Sequence, residues 1–201
     1  MNRYRPTKKN TALIQTVWTI CRLLFGVTFI ISGFVKAVDP LGVQYKIEDY
    51  LTALNLTALH PFALTFAFAL FAIEFVIGVN FLFSIRMRET SFVGLLFMCV
   101  MTPVTLWIAL ANPVTDCGCF GDAIILSNWA TFWKNIILLA VVITVIALRK
   151  KVHHTWLSPF PEWTLTATFC IIPLALGCYG LRFLPLIDFR PYKIGNNIIE
   201  L

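Results

Sequence analysis

The stretch PFALTFAFALFAIEFVIGVNFLFS, residues 61–84, decides the fold class, because its only charged side chain is Glu74. An apolar segment of about 20 residues crosses the hydrocarbon core of a bilayer as an α-helix. The run is continuously apolar rather than alternating, which argues against a barrel strand. The stretch therefore predicts a membrane-spanning helix.

Four more stretches of the chain have the same character, and the composition agrees with them. Hydrophobic residues make up 59% of the 201 residues and charged residues only 13%, which is typical of a polytopic membrane protein. Because lipid offers no hydrogen-bond partners, segments of this kind satisfy their backbone hydrogen bonds by forming helices. We predict an all-α membrane helical bundle whose spans lie at about 13–36, 61–84, 91–111, 128–148 and 163–184. The loop 39–61 mixes apolar and charged residues and predicts a short interfacial helix that could cover the loop after the third span.

The basic residues predict the orientation of the bundle. Nine lie at one end and three at the other. The first group is Arg3, Arg5, Lys8, Lys9, Arg86, Arg88, Arg149, Lys150 and Lys151, and the second is Lys46, Arg190 and Lys193. Because basic residues favour the cytoplasmic side, we predict a cytoplasmic basic tail at 1–12 and an external tail at 185–201. This asymmetry accounts for the net charge of +6, so the charge does not indicate a nucleic-acid partner.

The loop Asp116-Cys117-Gly118-Cys119-Phe120-Gly121-Asp122 holds the main candidate site. The predicted orientation places it on the oxidising side of the membrane, where disulfides form and persist. Gly118 would permit the very small ring that a Cys-x-Cys disulfide closes, and a strained bridge is readily exchanged. We therefore expect thiol-disulfide exchange by Cys117 and Cys119.

Two other uses of the cysteine pair stay open, and a third cysteine is worth noting. The pair could be a static structural bridge, or it could bind a metal, with His60 approaching from the first outer loop. Zinc prefers four ligands, and the loop itself contains no histidine, which makes the metal site the weaker hypothesis. Cys178, near the outer end of the fifth span, is a candidate resolving thiol, with simple packing as its alternative.

Arg22 and Glu74 lie within the predicted spans, where a charge is expensive in lipid, and are therefore candidate functional residues. Counted from the same end of the bundle, Arg22 and Glu74 lie at similar depths in spans one and two. We predict a buried ion pair between them, with proton handling by Glu74 as the alternative.

The string RLLFGVTFIISGFVK at 22–36, followed by Asp39-Pro40 and by Glu74 with Gly78, resembles the DoxX-like membrane proteins. The string DCGCFG at 116–121 resembles the MauE branch, the methylamine-utilisation proteins. The resemblance covers residues 13–150, and it implies a four-helix domain to which the fifth helix is added. It also implies a bacterial inner-membrane protein with a role in redox maturation, with Cys117 and Cys119 as the redox pair acting on an external client.

The leading functional hypothesis is a membrane thiol-disulfide oxidoreductase or maturation partner that acts on an external thioredoxin-like protein. By analogy with quinone-linked disulfide-forming enzymes, a quinone near Trp107, Trp129 and Trp133 is a candidate electron acceptor. The alternative is a non-catalytic membrane subunit that positions a partner, with the cysteine pair as a structural clip. A transporter is less favoured, because Arg22 and Glu74 are too few to line a path.

Overall fold

The structure is a computed structural model that describes residues 8–112, 118–122, 126–151 and 159–183. Within these ranges the chain forms six α-helices, one short strand and two 3-10 segments. The helices are α1 (Lys8–Val38), α2 (Pro40–Ala53), α3 (Ala63–Phe83), α4 (Met87–Ala111), α5 (Asn128–Leu148) and α6 (Pro159–Arg182). The strand β1 is Cys119–Asp122, and the 3-10 segments are Thr57–Phe62 and Arg149–Lys151.

Five helical segments are long and apolar enough to cross a membrane, which confirms the predicted fold class. They are Ala12–Val38, Thr57–Phe83, Met87–Ala111, Asn128–Leu148 and Glu162–Arg182. The first helix begins at Lys8, so helical structure extends into the predicted basic tail. The predicted tail at 185–201 lies outside the described residues.

Helices α1 and α3 are antiparallel and approach each other backbone to backbone at glycines. A Cβ atom on Gly33 would lie 2.7 Å from the backbone nitrogen of Phe75, and one on Gly78 would lie 2.6 Å from that of Ile30. Small residues at helix interfaces allow such close packing in membranes, where no hydrophobic force drives helices together. This contact sets the register between the two helices.

The largest buried cluster joins four of the spanning helices. It contains Trp18, Phe25, Phe29, Ile77, Phe81, Met98, Leu138, Val142 and Val145. The indole Nε1 of Trp18 donates to the carbonyl of Val145 at 3.2 Å, which satisfies the polar atom of this buried side chain. Large apolar side chains on the outside of the spans, such as Leu96 and Leu110, are exposed and suit contact with lipid.

Helix α2 is the short helix predicted for the first long loop. Its N-terminus is capped by Asp39, whose carboxylate accepts from the backbone nitrogen of Gly42 at 3.0 Å, and Pro40 occupies the first turn. One face buries Val43 and Leu51, whereas Tyr45 is exposed. The helix packs against α3 and also contacts β1, so it covers this part of the cysteine loop.

Helix α6 packs against α3 and α1, outside the main cluster. Gly177 lies against the rings of Phe68 and Phe71. The Thr166 hydroxyl donates to the side-chain oxygen of Asn80 at 3.2 Å. These contacts attach the fifth spanning helix along one side of the bundle.

Replacing Gly78 with alanine should lower the free energy of unfolding by about 1 to 3 kcal/mol, because the new methyl group meets backbone atoms that cannot turn aside. Gly94→Ala is the matched control, since its Cβ would meet only ring carbons of Phe25 and Phe81 at 3.3 Å or more. Denaturant unfolding in detergent measures both variants. Equal losses from the two would contradict the proposed contact between helix backbones.

Candidate functional site

A buried ion pair lies at the centre of the candidate site. The ammonium nitrogen of Lys36 in α1 is 2.6 Å from Oε1 and 2.7 Å from Oε2 of Glu74 in α3. Both residues are only 3% exposed. Each lies within a segment apolar enough to span a membrane, where a lone charge is very costly and a paired charge is tolerated.

The predicted ion pair between Arg22 and Glu74 is wrong. Arg22 Nη1 instead donates to the carbonyls of Phe81 and Leu82, both at 3.0 Å, and to the Ser84 hydroxyl. The close glycine contact places Arg22 beside the last turn of α3, more than two turns from Glu74. Counting residues from the ends of the predicted spans did not give the correct register between α1 and α3.

Ser32 connects the ion pair to the cysteine loop. It lies one helical turn before Lys36, and Lys36 Nζ donates to its Oγ at 3.2 Å. The three N–H donors of the ammonium thus match two carboxylate oxygens and one hydroxyl. The Ser32 hydroxyl lies 2.9 Å from Glu74 Oε2 and donates to the backbone carbonyl of Cys119 at 2.6 Å. The main chain of Cys119 is therefore held by a buried polar network.

The backbone around Cys119 forms a tight turn that starts at Gly118. The nitrogen of Gly121 donates to the carbonyl of Gly118 at 3.0 Å. Both glycines have positive φ, +64° at Gly118 and +55° at Gly121, a region that side chains disfavour. The aliphatic stem of Lys46, from α2, lies directly over Gly118, so there is no room for a Cβ there.

Polar side chains hold together the helix ends on either side of the loop. Asn112, the left-handed residue after α4, accepts at 2.9 Å from the side-chain amide of Asn128, the first residue of α5. Ser127 caps the start of α5 by accepting from the nitrogen of Ala130 at 3.3 Å. These bonds fix where the chain leaves α4 and where it enters α5.

Three lysines from three different helices surround the position of Cys119. Lys134 of α5 lines a cavity together with Cys119, Ser32 and Glu74. Lys36 and Lys46 line a second cavity that also includes Cys119. Glu74 offsets the charge of Lys36. Basic side chains from three helices therefore line the cavities next to Cys119.

The remaining predicted site residues are not brought together in the described parts of the chain. Cys117 lies outside those residues. Cys178 is exposed on α6, next to the inward-facing Gly177. His60 contacts the hydroxyl of Thr52 at 3.2 Å.

The tryptophans that were predicted to lie near a quinone do not form a closed site. Trp129 is 51% exposed and Trp133 is 58% exposed, on the outer surface of α5. A role for them in binding a quinone stays a prediction.

Sequence reasoning did not assign a role to Ser32, Lys36 or Lys134, which the structure places around Cys119. Ser32 and Lys36 are one turn apart on α1, and Lys134 is a charge within a predicted span. Applying the rule for charges in lipid to every span would have selected both lysines. The pairing of Lys36 with Glu74 depends on helix register and was not available from spacing alone.

Replacing Lys36 or Glu74 alone with methionine should lower the free energy of unfolding by about 3 to 5 kcal/mol, because a buried charge loses its partner. Replacing both should cost much less, since no lone charge remains. Arg22→Met should not rescue Glu74→Met. The four variants are Lys36→Met, Glu74→Met, the combination of these two, and Arg22→Met combined with Glu74→Met. Their unfolding in detergent is the measurement. Rescue of Glu74→Met by Arg22→Met rather than by Lys36→Met would contradict the observed pairing.

Comparison with known proteins identifies the family of this chain. A family model described as "Methylamine utilisation protein MauE" matches residues 14–148, which include most of α1 and all of α2 to α5. No curated protein and no solved structure gave a match. The matched region contains the ion pair, the cysteine loop and Lys134. The chain therefore belongs to the MauE family of methylamine-utilisation proteins and is a multi-pass membrane protein.

Proposed function

We propose that this protein carries out thiol-disulfide exchange at the external face of a bacterial inner membrane, with Cys117 and Cys119 as its redox pair. The observation that supports this most is the anchoring of Cys119. Its carbonyl is bound by Ser32, which is bound in turn by the buried Lys36–Glu74 pair. A polar network of this kind within an apolar bundle is costly, so its use to hold one cysteine favours a function for that cysteine.

The proposed reaction is a two-step exchange with an external client. A client thiolate attacks the Cys117–Cys119 disulfide, which forms a mixed disulfide and releases one loop thiolate. A second client thiolate then attacks the mixed disulfide, so that the client leaves oxidised. The loop gains the two electrons and, on protonation, two protons, and both cysteines end as thiols.

The second half of the cycle needs an electron acceptor. Oxidation of the two thiols releases two electrons and two protons, and a membrane quinone takes up that number when it is reduced to a quinol. We therefore propose a quinone as the acceptor. A thioredoxin-like protein or the client itself is the proposed partner on the external side. The DoxX-like resemblance is part of the same proposal, because Ser32 and Lys36 of the first span and Glu74 of the second span form the anchor.

The surroundings of Cys119 also support exchange. Lys46 lies across Gly118, and Lys134 lines the cavity that Cys119 shares with Ser32. Exchange requires a thiolate, and basic groups next to a cysteine are typical of reactive thiols. Gly118 has the left-handed conformation that only glycine adopts without strain, which suits a small ring between the two cysteines.

The same geometry favours one rival function. A loop held by Ser32, and by the Asn112–Asn128 bond at its ends, could also be a rigid clip that presents a binding surface to a partner. In that case the protein is a non-catalytic membrane subunit. The two functions differ in whether the redox state of the cysteine pair changes during turnover.

Replacing either loop cysteine with serine should trap a mixed disulfide with an oxidised client, because the remaining loop thiolate attacks the client disulfide and no second loop thiol is left to release the client. Non-reducing electrophoresis of membranes detects the trapped species as a band that reductant removes. Cys99→Ser is the matched control, since Cys99 is exposed within the α4 span and should trap nothing.

Thiol labelling separates exchange from a rigid clip. A cycling pair should become reactive to alkylating reagents when the quinone pool is reduced and protected when the pool is oxidised. A static clip should stay protected in both states until the protein is denatured. Protection that never changes, together with no trapped species, would exclude the exchange function.

Ser32→Ala should slow client oxidation by about five- to thirtyfold, the effect of losing about 1 to 2 kcal/mol of positioning from one buried hydrogen bond. Ser32→Thr keeps the hydroxyl and should restore most of the rate. The rate of client oxidation is the measurement, with unfolding followed in parallel. If both variants lose activity equally, the hydroxyl does not position Cys119.

A further inference from the structure

We propose that the opposite end of the bundle binds an anionic phospholipid in a cleft between α4 and α5. The cleft is about 390 Å³ in volume and lies at the start of α4 and the end of α5. Its lining residues are Arg88, Glu89, Phe92, Leu95, Ile146 and Arg149. This site does not depend on the cysteine loop, which lies between the other ends of the same two helices.

The order of the lining residues along the helices matches the shape of a phospholipid. Arg88 is the second residue of α4, and Arg149 follows the last residue of α5. Phe92 and Leu95 lie deeper along α4, with Leu95 about 10 Å below Arg88 at 1.5 Å per residue. Charge at the mouth and apolar surface below it suit a lipid phosphate with an acyl chain beneath.

The charges at the mouth favour an anion. Among the described residues, no acidic side chain forms an ion pair with Arg88 or Arg149. Arg149 Nη1 donates at 3.2 Å to the carbonyl of Arg88, which holds the two residues side by side. Two guanidinium groups at neighbouring positions match the oxygens of a phosphate.

The one acidic residue of the cleft is largely compensated. Glu89 Oε1 lies 3.4 Å from Arg86 Nη2, and the guanidinium of Arg86 stacks over the ring of Trp163 at 3.9 Å. The net charge of the mouth therefore stays positive. Basic clefts between spanning helices at the predicted cytoplasmic end are typical sites for anionic lipid head groups.

The apolar part of the cleft completes the site. Phe92 is 64% exposed at the start of a spanning helix, where acyl chains lie against the protein. With Leu95 and Ile146 it forms a surface that a free phosphate ion would not use. The combination identifies the ligand as a phospholipid with an anionic head group.

Native mass spectrometry of the full chain in detergent tests the proposal with phosphatidylglycerol and phosphatidylcholine as probes. The wild-type protein should bind phosphatidylglycerol at least tenfold more tightly than phosphatidylcholine, and Arg88→Gln with Arg149→Gln should abolish most of that preference. Lys150→Gln is the matched control. It removes a neighbouring exposed charge that does not line the cleft and should change binding by about twofold or less.

Two further results make the test specific. Glu89→Gln should tighten binding of phosphatidylglycerol, because it removes the only negative charge among the described residues that line the cleft. Arg88→Gln alone should weaken binding without unfolding, since Arg88 is exposed. The proposal fails if wild type and the double variant bind phosphatidylglycerol equally, if both lipids bind alike, or if millimolar inorganic phosphate displaces the lipid completely.

Discussion

The ion pair between Lys36 and Glu74 is the interaction on which the arrangement around Cys119 depends. Each charge alone would be very costly inside a bundle built for lipid, and together they form a unit whose donors and acceptors are matched. The pair joins α1 to α3, and through Ser32 it also holds the turn that carries Cys119. The same network therefore holds α1 against α3 and positions the main chain of Cys119.

The close packing of α1 and α3 makes this network possible. Gly26, Gly33 and Gly78 bring the two backbones together, and their contact fixes which side chains of the two helices face each other. With larger residues at these positions the helices would separate, and the Lys36 ammonium would no longer reach both carboxylate oxygens. The same register places Arg22 next to backbone carbonyls at the end of α3, where its Nη1 donates to main-chain oxygens instead of an acid.

The two ends of the bundle have different chemistry. One end carries the cysteine turn, covered by α2 and flanked by lysines from α1, α2 and α5. The other end carries arginines at the mouth of an apolar cleft. Between them the helices present apolar surface outward and a buried aromatic cluster inward. This division suits the proposed redox chemistry at one end and the proposed lipid site at the other.

The sequence by itself determined the fold class, the five spans and the short helix α2. These follow from local properties, namely the length of apolar runs, capping by Asp39 and the position of prolines. The string DCGCFG at 116–121 also led to the MauE family, which the family model confirmed. Only the tertiary structure decided that Glu74 pairs with Lys36 instead of Arg22, and that Ser32, Lys46 and Lys134 surround Cys119. Such pairings depend on the depth and rotation of one helix relative to another. Close glycine contacts set both quantities, and they cannot be obtained by counting residues from the ends of the spans.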